Sequence, residues 1–333
     1  MSPSFRDSLK RIIERNNRHR ANKSGAASFE TQHKRAEILF GGFNTLIGPL
    51  GCKIASPEQF REYHLKKLGL YWEKRGLKDI PTRISVFRVF ANVWLGKTQM
   101  IRQSERYVCD PRVVQRCCAT TQDKTWTGQN IDVMAKIRQV AAIDPRVAII
   151  LELMYSFGLR LKEAMLLRPH LADKGQLLDV TRGTKGGKHR ITEKLATVRA
   201  DVLSAANTFA KTRLSSMIPD GRTFVSYRKH IYRVCNEAGI GRRFGLVPHG
   251  LRHEYSNAKY EEITAHKSPI KGGVSGQVDR ETDLYARTDI AADLGHCRPR
   301  ISGAYLGAGL PSTSRKKNEV SVEDPHKHQR AKK

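Results

Sequence analysis

Acidic residues are scarce in this sequence. Among 333 residues, 32 are Asp or Glu and 60 are Lys or Arg, which gives a formal net charge of +28. Such an excess indicates a polyanionic partner, because each cation placed at a phosphate releases a condensed counterion. Nucleic acid is the expected partner. An acidic membrane surface is the alternative, but no basic amphipathic segment carries the Trp, Phe and Leu face that it would need.

Long apolar runs are also missing. The longest, Val147–Leu153, is interrupted by Glu152, so no transmembrane helix is predicted. The stretch from Ser4 to Arg20 is polar and basic and has no apolar segment typical of a secretory signal. We therefore expect a cytoplasmic protein, associated with the nucleoid if its partner is DNA.

Cysteine pairs with metal-ligand spacing are absent. Six cysteines occur without a CxxC pair or a His-rich neighbourhood: Cys52, Cys109, Cys117, Cys118, Cys235 and Cys297. They are interpreted as reduced, mostly structural thiols, and neither a metal nor another cofactor is expected.

What is present supports two folded domains, since hydrophobic residues make up 39% of the chain. Helical spacing predicts a basic N-terminal segment at 1–27 and a small all-α domain at 28–118, in which the aromatic residues form the core. A polar stretch with Gly128 predicts a linker at 119–130. The second domain follows at 131–310, and the charged end, 311–333, is expected to be disordered.

The second domain has mixed patterns. Leu177–Val180 and Arg190–Ile191 flank a Gly-rich polar segment and predict a β-hairpin. Glu193–Lys211 and Leu251–Thr264 are among the stretches with helical spacing. The fold class predicted is therefore mainly α with a small β-sheet.

Five short strings, in a fixed order, carry more information than the composition. They are Gly158-Leu159-Arg160-Leu161-Lys162-Glu163, Thr184-Lys185-Gly186-Gly187-Lys188, His249-Gly250-Leu251-Arg252-His253, Leu294-Gly295-His296 and, nine residues after that histidine, Tyr305. Taken singly, each has an ordinary structural explanation, such as a surface arginine, a helix-capping histidine or a core tyrosine. The joint arrangement favours a common site.

In this order the strings resemble those of the tyrosine recombinase (phage integrase) family, in particular integrases of bacterial mobile elements. The resemblance spans roughly residues 30 to 310. It implies a helical core-binding (SAM-like) DNA-binding domain followed by an α+β catalytic domain. It also implies that DNA strands are cleaved and rejoined through a 3′-phosphotyrosine intermediate, without metal or ATP.

The resemblance assigns roles to the residues of the strings. Tyr305 is the expected nucleophile, and cationic neighbours must favour its ionised form. Arg160 and Arg252 suit the two non-bridging phosphate oxygens, because a guanidinium matches phosphate bidentately. The other expected assignments are Lys185 for protonating the leaving 5′-oxygen, His249 and His296 for proton transfer and phosphate binding, and Glu163 and His253 for structural support. Lys188 lies in the same hairpin and is an alternative to Lys185.

One departure from the family pattern is the distance between two motifs. His296 follows Arg252 by 44 residues, about twenty more than the compact family pattern. The segment Lys267–Asp283, which contains several glycines, is interpreted as an inserted loop of unassigned role.

Several functions share this chemistry or this fold. Besides a mobile-element integrase, the sequence allows a chromosome or plasmid dimer resolvase, a type IB topoisomerase, and a catalytically inactive DNA-binding protein. A metal-dependent transposase is disfavoured, because recurrent DxD or ExxD motifs near the basic core are missing. Recombination of two duplexes implies double-stranded DNA, a homotetramer on it and, as a further expected partner, a DNA-bending accessory protein.

Overall fold

The computed structural model describes residues 1–21, 25–115, 119–198, 201–274, 276–296 and 298–309. The chain divides into a first unit, Met1–Cys117, and a second unit, Cys118–Lys333. The tail predicted at 311–333 lies outside the described residues, as do Cys117, Cys118 and Cys297. Within the described ranges, every helix is too short or too polar to cross a membrane.

The described part of the first unit contains four α-helices. They are α1 Pro3–Asn16, α2 Phe29–Ile47, α3 Glu62–Lys74 and α4 Ile80–Arg88, and α4 continues into a π-helical turn over Val89–Trp94. Ser2 caps α1 by accepting the backbone N–H of Phe5 at 3.3 Å. Phe5, Leu9 and Ile13, spaced four residues apart, are buried. The apolar face of the N-terminal helix therefore belongs to the core of this unit.

Aromatic side chains form the centre of the first unit. The Phe43 ring lies 5.2 to 5.7 Å, centroid to centroid, from the rings of Phe5, Phe60, Phe87 and Phe90. All five rings are buried. They are core residues, so they are not available for stacking on bases.

The second unit is mainly helical. Its described helices are α5 Val133–Ile143, α6 Pro145–Phe157, α7 Leu161–Leu166, α8 Pro169–Ala172, α9 Val202–Phe209, α10 Phe224–Glu237, α11 Gly250–Thr264, α12 Arg280–Asp293 and α13 Gly303–Leu306. Asp144 caps α6 by accepting the N–H of Val147 at 3.1 Å, and Pro145 starts the helix. Buried side chains surround α6, which makes it the central helix of this unit.

A small antiparallel sheet completes the second unit. Its strands are β1 Asp173–Lys174, β2 Leu177–Val180 and β3 Arg190–Glu193, in the order β1-β2-β3. Leu177 pairs with Glu193 and Val180 with Arg190, so the predicted hairpin is present. In β3, Arg190 and Thr192 are buried while their neighbours are exposed, as expected for a period of two. An arginine therefore points into the protein.

Three sequence predictions need correction at the level of elements. The helix predicted over Glu193–Lys211 is wrong in its first half, because β3 and the chain after it pair with the sheet and with α6 through Lys194 and Leu195. The loop predicted over Lys267–Asp283 ends early, since Asp279 caps α12, which starts at Arg280. The stretch 119–130, predicted as a linker, is packed at Trp126, which is fully buried and donates to the Val247 carbonyl at 2.9 Å.

Candidate active site

A tight turn after α6 places the first arginine. Gly158 ends the helix in the left-handed region, at φ 59°, where glycine is favoured. A Cβ at Gly158 would lie 2.5 Å from the ring of Tyr255, so the turn also needs the absence of a side chain. Arg160 then precedes α7, and its backbone N–H donates to the Glu163 carboxylate at 2.7 Å. The Gly-Leu-Arg-x-x-Glu string is therefore a helix start in which Glu163 satisfies a free N–H group.

The carboxylate of Glu163 joins three arginines. It accepts from Arg160 Nη1 at 2.7 Å and from Arg190 Nη2 at 2.9 Å, and Arg252 Nη1 lies 3.9 Å away. The Glu163 side chain is fully buried. Burial disfavours its ionised form, but the opposing charges of Arg190, Arg160 and Arg252 outweigh this effect and lower the pKa of Glu163. The ionised carboxylate of Glu163 can therefore hold the Arg160 guanidinium in a fixed orientation.

Arg252, on the first turn of α11, connects the site to the tyrosine. It is fully buried, and it donates from Nη1 to the Gly158 carbonyl, from Nη2 to the Leu294 carbonyl at 2.6 Å, and from Nε to Tyr305 Oη at 3.1 Å. Arg160 Nη2 donates to the same Leu294 oxygen at 3.3 Å. Burial lowers the pKa of Arg252 to about 10, which leaves the guanidinium charged at neutral pH. Arg252 thus contacts the phenol directly, and Arg160 shares the Leu294 carbonyl with it.

Imidazole rings surround the phenol of Tyr305. Ring centroids lie 4.8 Å away for His253, 6.2 Å for His249 and 6.3 Å for His296. His249 precedes α11 and is exposed, His253 is buried one turn later, and His296 follows the end of α12. The structure therefore brings together seven predicted site residues, namely Arg160, Glu163, His249, Arg252, His253, His296 and Tyr305.

The three histidines share the electrostatic effect of the arginines. Desolvation comes first, and the charges of Arg252 and Arg160 add to it, so that the pKa values of His249 and His296 fall to about 4. Burial and the neighbouring His249 lower the pKa of His253 to about 3. All three rings are neutral at pH 7, and a neutral imidazole has one nitrogen that can accept a proton. His296 Nε2 is buried and has no hydrogen-bond partner among the residues that the structure describes.

The hairpin lysine, Lys185, is related to the site through its charge. Lys185 lies in the exposed turn between β2 and β3, and its charge contributes to the lowered pKa of His296. Lys188 is exposed in the same turn. Lys185 thus has an electrostatic connection to the site through His296.

Comparison with known proteins shows what the second unit is similar to. A family model described as "Integrase" matches residues 116–258. This match, together with the fold, supports the tyrosine recombinase family for the second unit. The matched range includes Arg160, Lys185, His249 and Arg252, and it ends before His296 and Tyr305. No curated protein sequence matches the chain.

Solved tyrosine recombinase structures share the fold at low identity. A lambda integrase dimer bound to a core site is 13% identical with a TM-score of 0.52, and the match covers 95% of this chain and 99% of that chain. The Tn1549 transposon integrase in complex with transposon right-end DNA is 12% identical with a TM-score of 0.52, covering 91% and 96%. The XerH site-specific recombinase in its post-cleavage complex is 16% identical with a TM-score of 0.51, covering 90% and 80%. The predicted fold class is confirmed.

Sequence reasoning missed two parts of this candidate site. Arg190 was assigned only to a strand, although it also donates to the Asp293 carbonyl and links α12 to Glu163. Tyr255 donates to the Asp293 carboxylate and, at 2.9 Å, to the Glu193 carbonyl. The available signal for Arg190 was a charged residue at an inward position of the predicted hairpin, and none existed for the Tyr255 contacts.

Proposed function

We propose that this protein is a site-specific DNA recombinase, an integrase that cleaves and rejoins DNA strands through Tyr305 for the integration or excision of a mobile element. The observation that carries the proposal is the hydrogen bond of 3.1 Å between Arg252 Nε and Tyr305 Oη. It puts a phenol directly against a buried guanidinium. That arrangement suits attack on a phosphodiester, since the guanidinium can neutralise charge that develops on phosphate oxygens beside the phenol.

The proposed step transfers one phosphoryl bond. The Tyr305 oxygen attacks phosphorus, the bond to the 5′-oxygen breaks, and the tyrosine becomes linked to the 3′-phosphate. The phenolic proton goes to a neutral imidazole, His249 or His296, and Lys185 protonates the 5′-oxygen. Arg160 and Arg252 bind the non-bridging oxygens. Religation is the reverse reaction with another 5′-hydroxyl, so the bond energy is conserved without nucleotide hydrolysis or a metal.

The proposed partner is double-stranded DNA. The net charge of +28 supports it, and so do the DNA complexes of the neighbours in fold. One of these structures is a lambda integrase tetramer on a Holliday junction, and we extend a homotetramer on DNA to this chain. The proposal also retains the core-binding domain at 28–118, a DNA-bending accessory protein, and a cytoplasmic, nucleoid-associated location.

Covalent capture tests the proposal without knowledge of the target site. A pool of nicked duplexes made from DNA flanking the gene is incubated with the protein in EDTA, denatured, and searched for DNA attached to protein. We expect wild-type protein to become covalently attached to a discrete set of sites. Tyr305→Phe should bind the same duplexes and give no adduct, because only the attacking oxygen is lost. Arg160→Ala or Arg252→Ala should slow attachment about a hundredfold or more.

The outcomes separate the competing functions. Adducts formed by Tyr305→Phe would exclude Tyr305 as the nucleophile, and an absolute Mg²⁺ requirement would contradict the mechanism. Binding without attachment by wild-type protein would favour an inactive DNA-binding protein. Sites confined to one chromosomal or plasmid locus would favour a dimer resolvase, and relaxation of supercoils without a defined site would favour a topoisomerase.

A further inference from the structure

The segment after α11 forms a closed turn that contacts α13, the tyrosine helix, which carries Tyr305. In the 267–273 turn, the Ser268 carbonyl accepts the N–H groups of Lys271 and Gly273, each at 2.9 Å. A Cβ at Gly273 would lie 1.9 Å from the Lys267 carbonyl oxygen. The turn is thus a compact, sterically defined structure at the start of the segment interpreted as an insertion.

A buried hydrogen-bond relay leads from this turn to Tyr305. Ser268, 1% exposed, and Asn257, 5% exposed, are both buried. The Ser268 hydroxyl donates to Asn257 Oδ1, because an amide oxygen can only accept. Asn257 Nδ2 donates to the backbone carbonyl of Tyr305 at 3.3 Å and to that of His253 at 2.7 Å. The serine therefore fixes which way the Asn257 amide points.

The same turn supports the end of the tyrosine helix. Gly307, just after α13, has a φ of 84°, and a Cβ there would lie 3.2 Å from Ile270 N and 3.4 Å from Ile270 Cβ. Lys271 holds the other side of the turn, with Nζ 2.8 Å from Thr127 Oγ1 and 3.2 Å from Asp123 Oδ2. The turn is tied to the body of the second unit.

Helix α13 spans four residues, and so short a helix is not stable by its own hydrogen bonds. We propose that the 267–273 turn is a positioning device for the nucleophile, acting through Ser268 and Asn257 to hold the Tyr305 backbone so that the phenol stays against Arg252. This inference rests on the proposed function. Ser268 and Asn257 are positioning residues, since they act through the Tyr305 backbone.

The test uses full-length protein with two isosteric or near-isosteric variants. Ser268→Ala removes the donor that orients Asn257, and Asn257→Asp keeps the shape but replaces the donor to Tyr305 with an acceptor. Ser156→Ala is the matched control, because Ser156 is fully buried in the same unit and its hydroxyl has no hydrogen-bond partner within the described part of the chain. Each protein is assayed for single-turnover covalent attachment to a captured site, for half-saturating DNA concentration, and for amide hydrogen exchange.

We expect Ser268→Ala to slow attachment at saturating DNA about tenfold, and Asn257→Asp by more, as misplacement of a reacting group predicts. Half-saturating DNA should stay within about twofold for both, because neither residue is placed at the DNA. Exchange should rise in the peptide spanning 303–307 and stay unchanged in α6. The double variant should be no slower than Asn257→Asp alone, since the serine acts through the asparagine.

Each contrary outcome has a distinct meaning. A Ser268→Ala rate equal to that of Ser156→Ala, with unchanged exchange at 303–307, would overturn the positioning role while leaving the recombinase intact. Exchange raised throughout the second unit would show a general structural role and would also overturn it. If wild-type protein forms no adduct, the proposed function fails, and the exchange measurement still decides whether the turn holds α13.

Discussion

The buried carboxylate of Glu163 interacts with three arginines. We therefore expect this charge to matter more for stability than any other single charge of the site. Glu163→Gln keeps the shape but leaves three cations together, two of them buried. We expect a loss of about 3 kcal/mol in the free energy of unfolding, the usual cost of removing one partner from a buried ion pair. Urea unfolding measures it.

Glu37→Gln serves as the comparison, because the Glu37–Lys34 pair, at 3.2 Å, lies at the surface with half-exposed side chains. Removing it should change stability by about 0.5 kcal/mol or less. Equal effects of the two substitutions would show that the Glu163 cluster contributes no more than a surface pair.

Asp293 gives the molecule a pH-dependent stability. Burial, which outweighs the Tyr255 hydrogen bond, raises the pKa of Asp293 to about 6, whereas an aspartate in an unfolded chain ionises near pH 4. The folded state therefore binds more protons between these values, and stability is lost as the pH rises through 6. Relative to Asp293→Asn, the wild-type protein should lose about 2 to 3 kcal/mol between pH 4 and pH 7. Parallel stability curves for the two proteins would refute the raised pKa.

At the scale of elements, the end of α6 is the most constrained connection. Gly158→Ala forces a side chain into the left-handed region and against Tyr255. We expect destabilisation by about 3 kcal/mol, the sum of a backbone cost of about 1 and an overpacking cost of about 2. Gly175→Ala, at φ 78° with open space around it, should show the backbone cost alone. Equal melting temperatures for the two variants would contradict the steric argument.

The elements also show which parts of the fold could be predicted from the sequence. Strand β2 was predicted with its exact bounds, and α11 to within one residue, because apolar alternation and helical spacing are local signals. Arg190 illustrates what is not local: its charge is visible in the sequence, but its partners, Glu163 and Asp293, are 27 and 103 residues away. The joint order of the five strings predicted a common site, and the structure places residues from four of the strings together. The contacts that hold them, such as Ser268 with Asn257, have no such pattern.

At the scale of the whole molecule, charge dominates. With a net charge of +28, binding to duplex DNA should release many counterions. We expect the affinity to fall about a thousandfold or more between 50 and 200 mM salt, the behaviour of a protein with six or more phosphate contacts. Fluorescence anisotropy of a labelled duplex measures this dependence. An affinity that stays constant over this range would argue against a phosphate-tracking surface.

The burial of Arg252 has one more consequence. A guanidinium has five N–H groups, and here it engages two carbonyls and the oxygen of Tyr305 while none of the residue reaches solvent. Tyr305 is itself only 7% exposed. In the absence of a substrate, Arg252 and Tyr305 therefore contact each other. Little of either side chain is accessible to nucleotides or sugar phosphates in solution. We therefore expect Tyr305 to react only with a phosphate that a docked duplex holds against this pair.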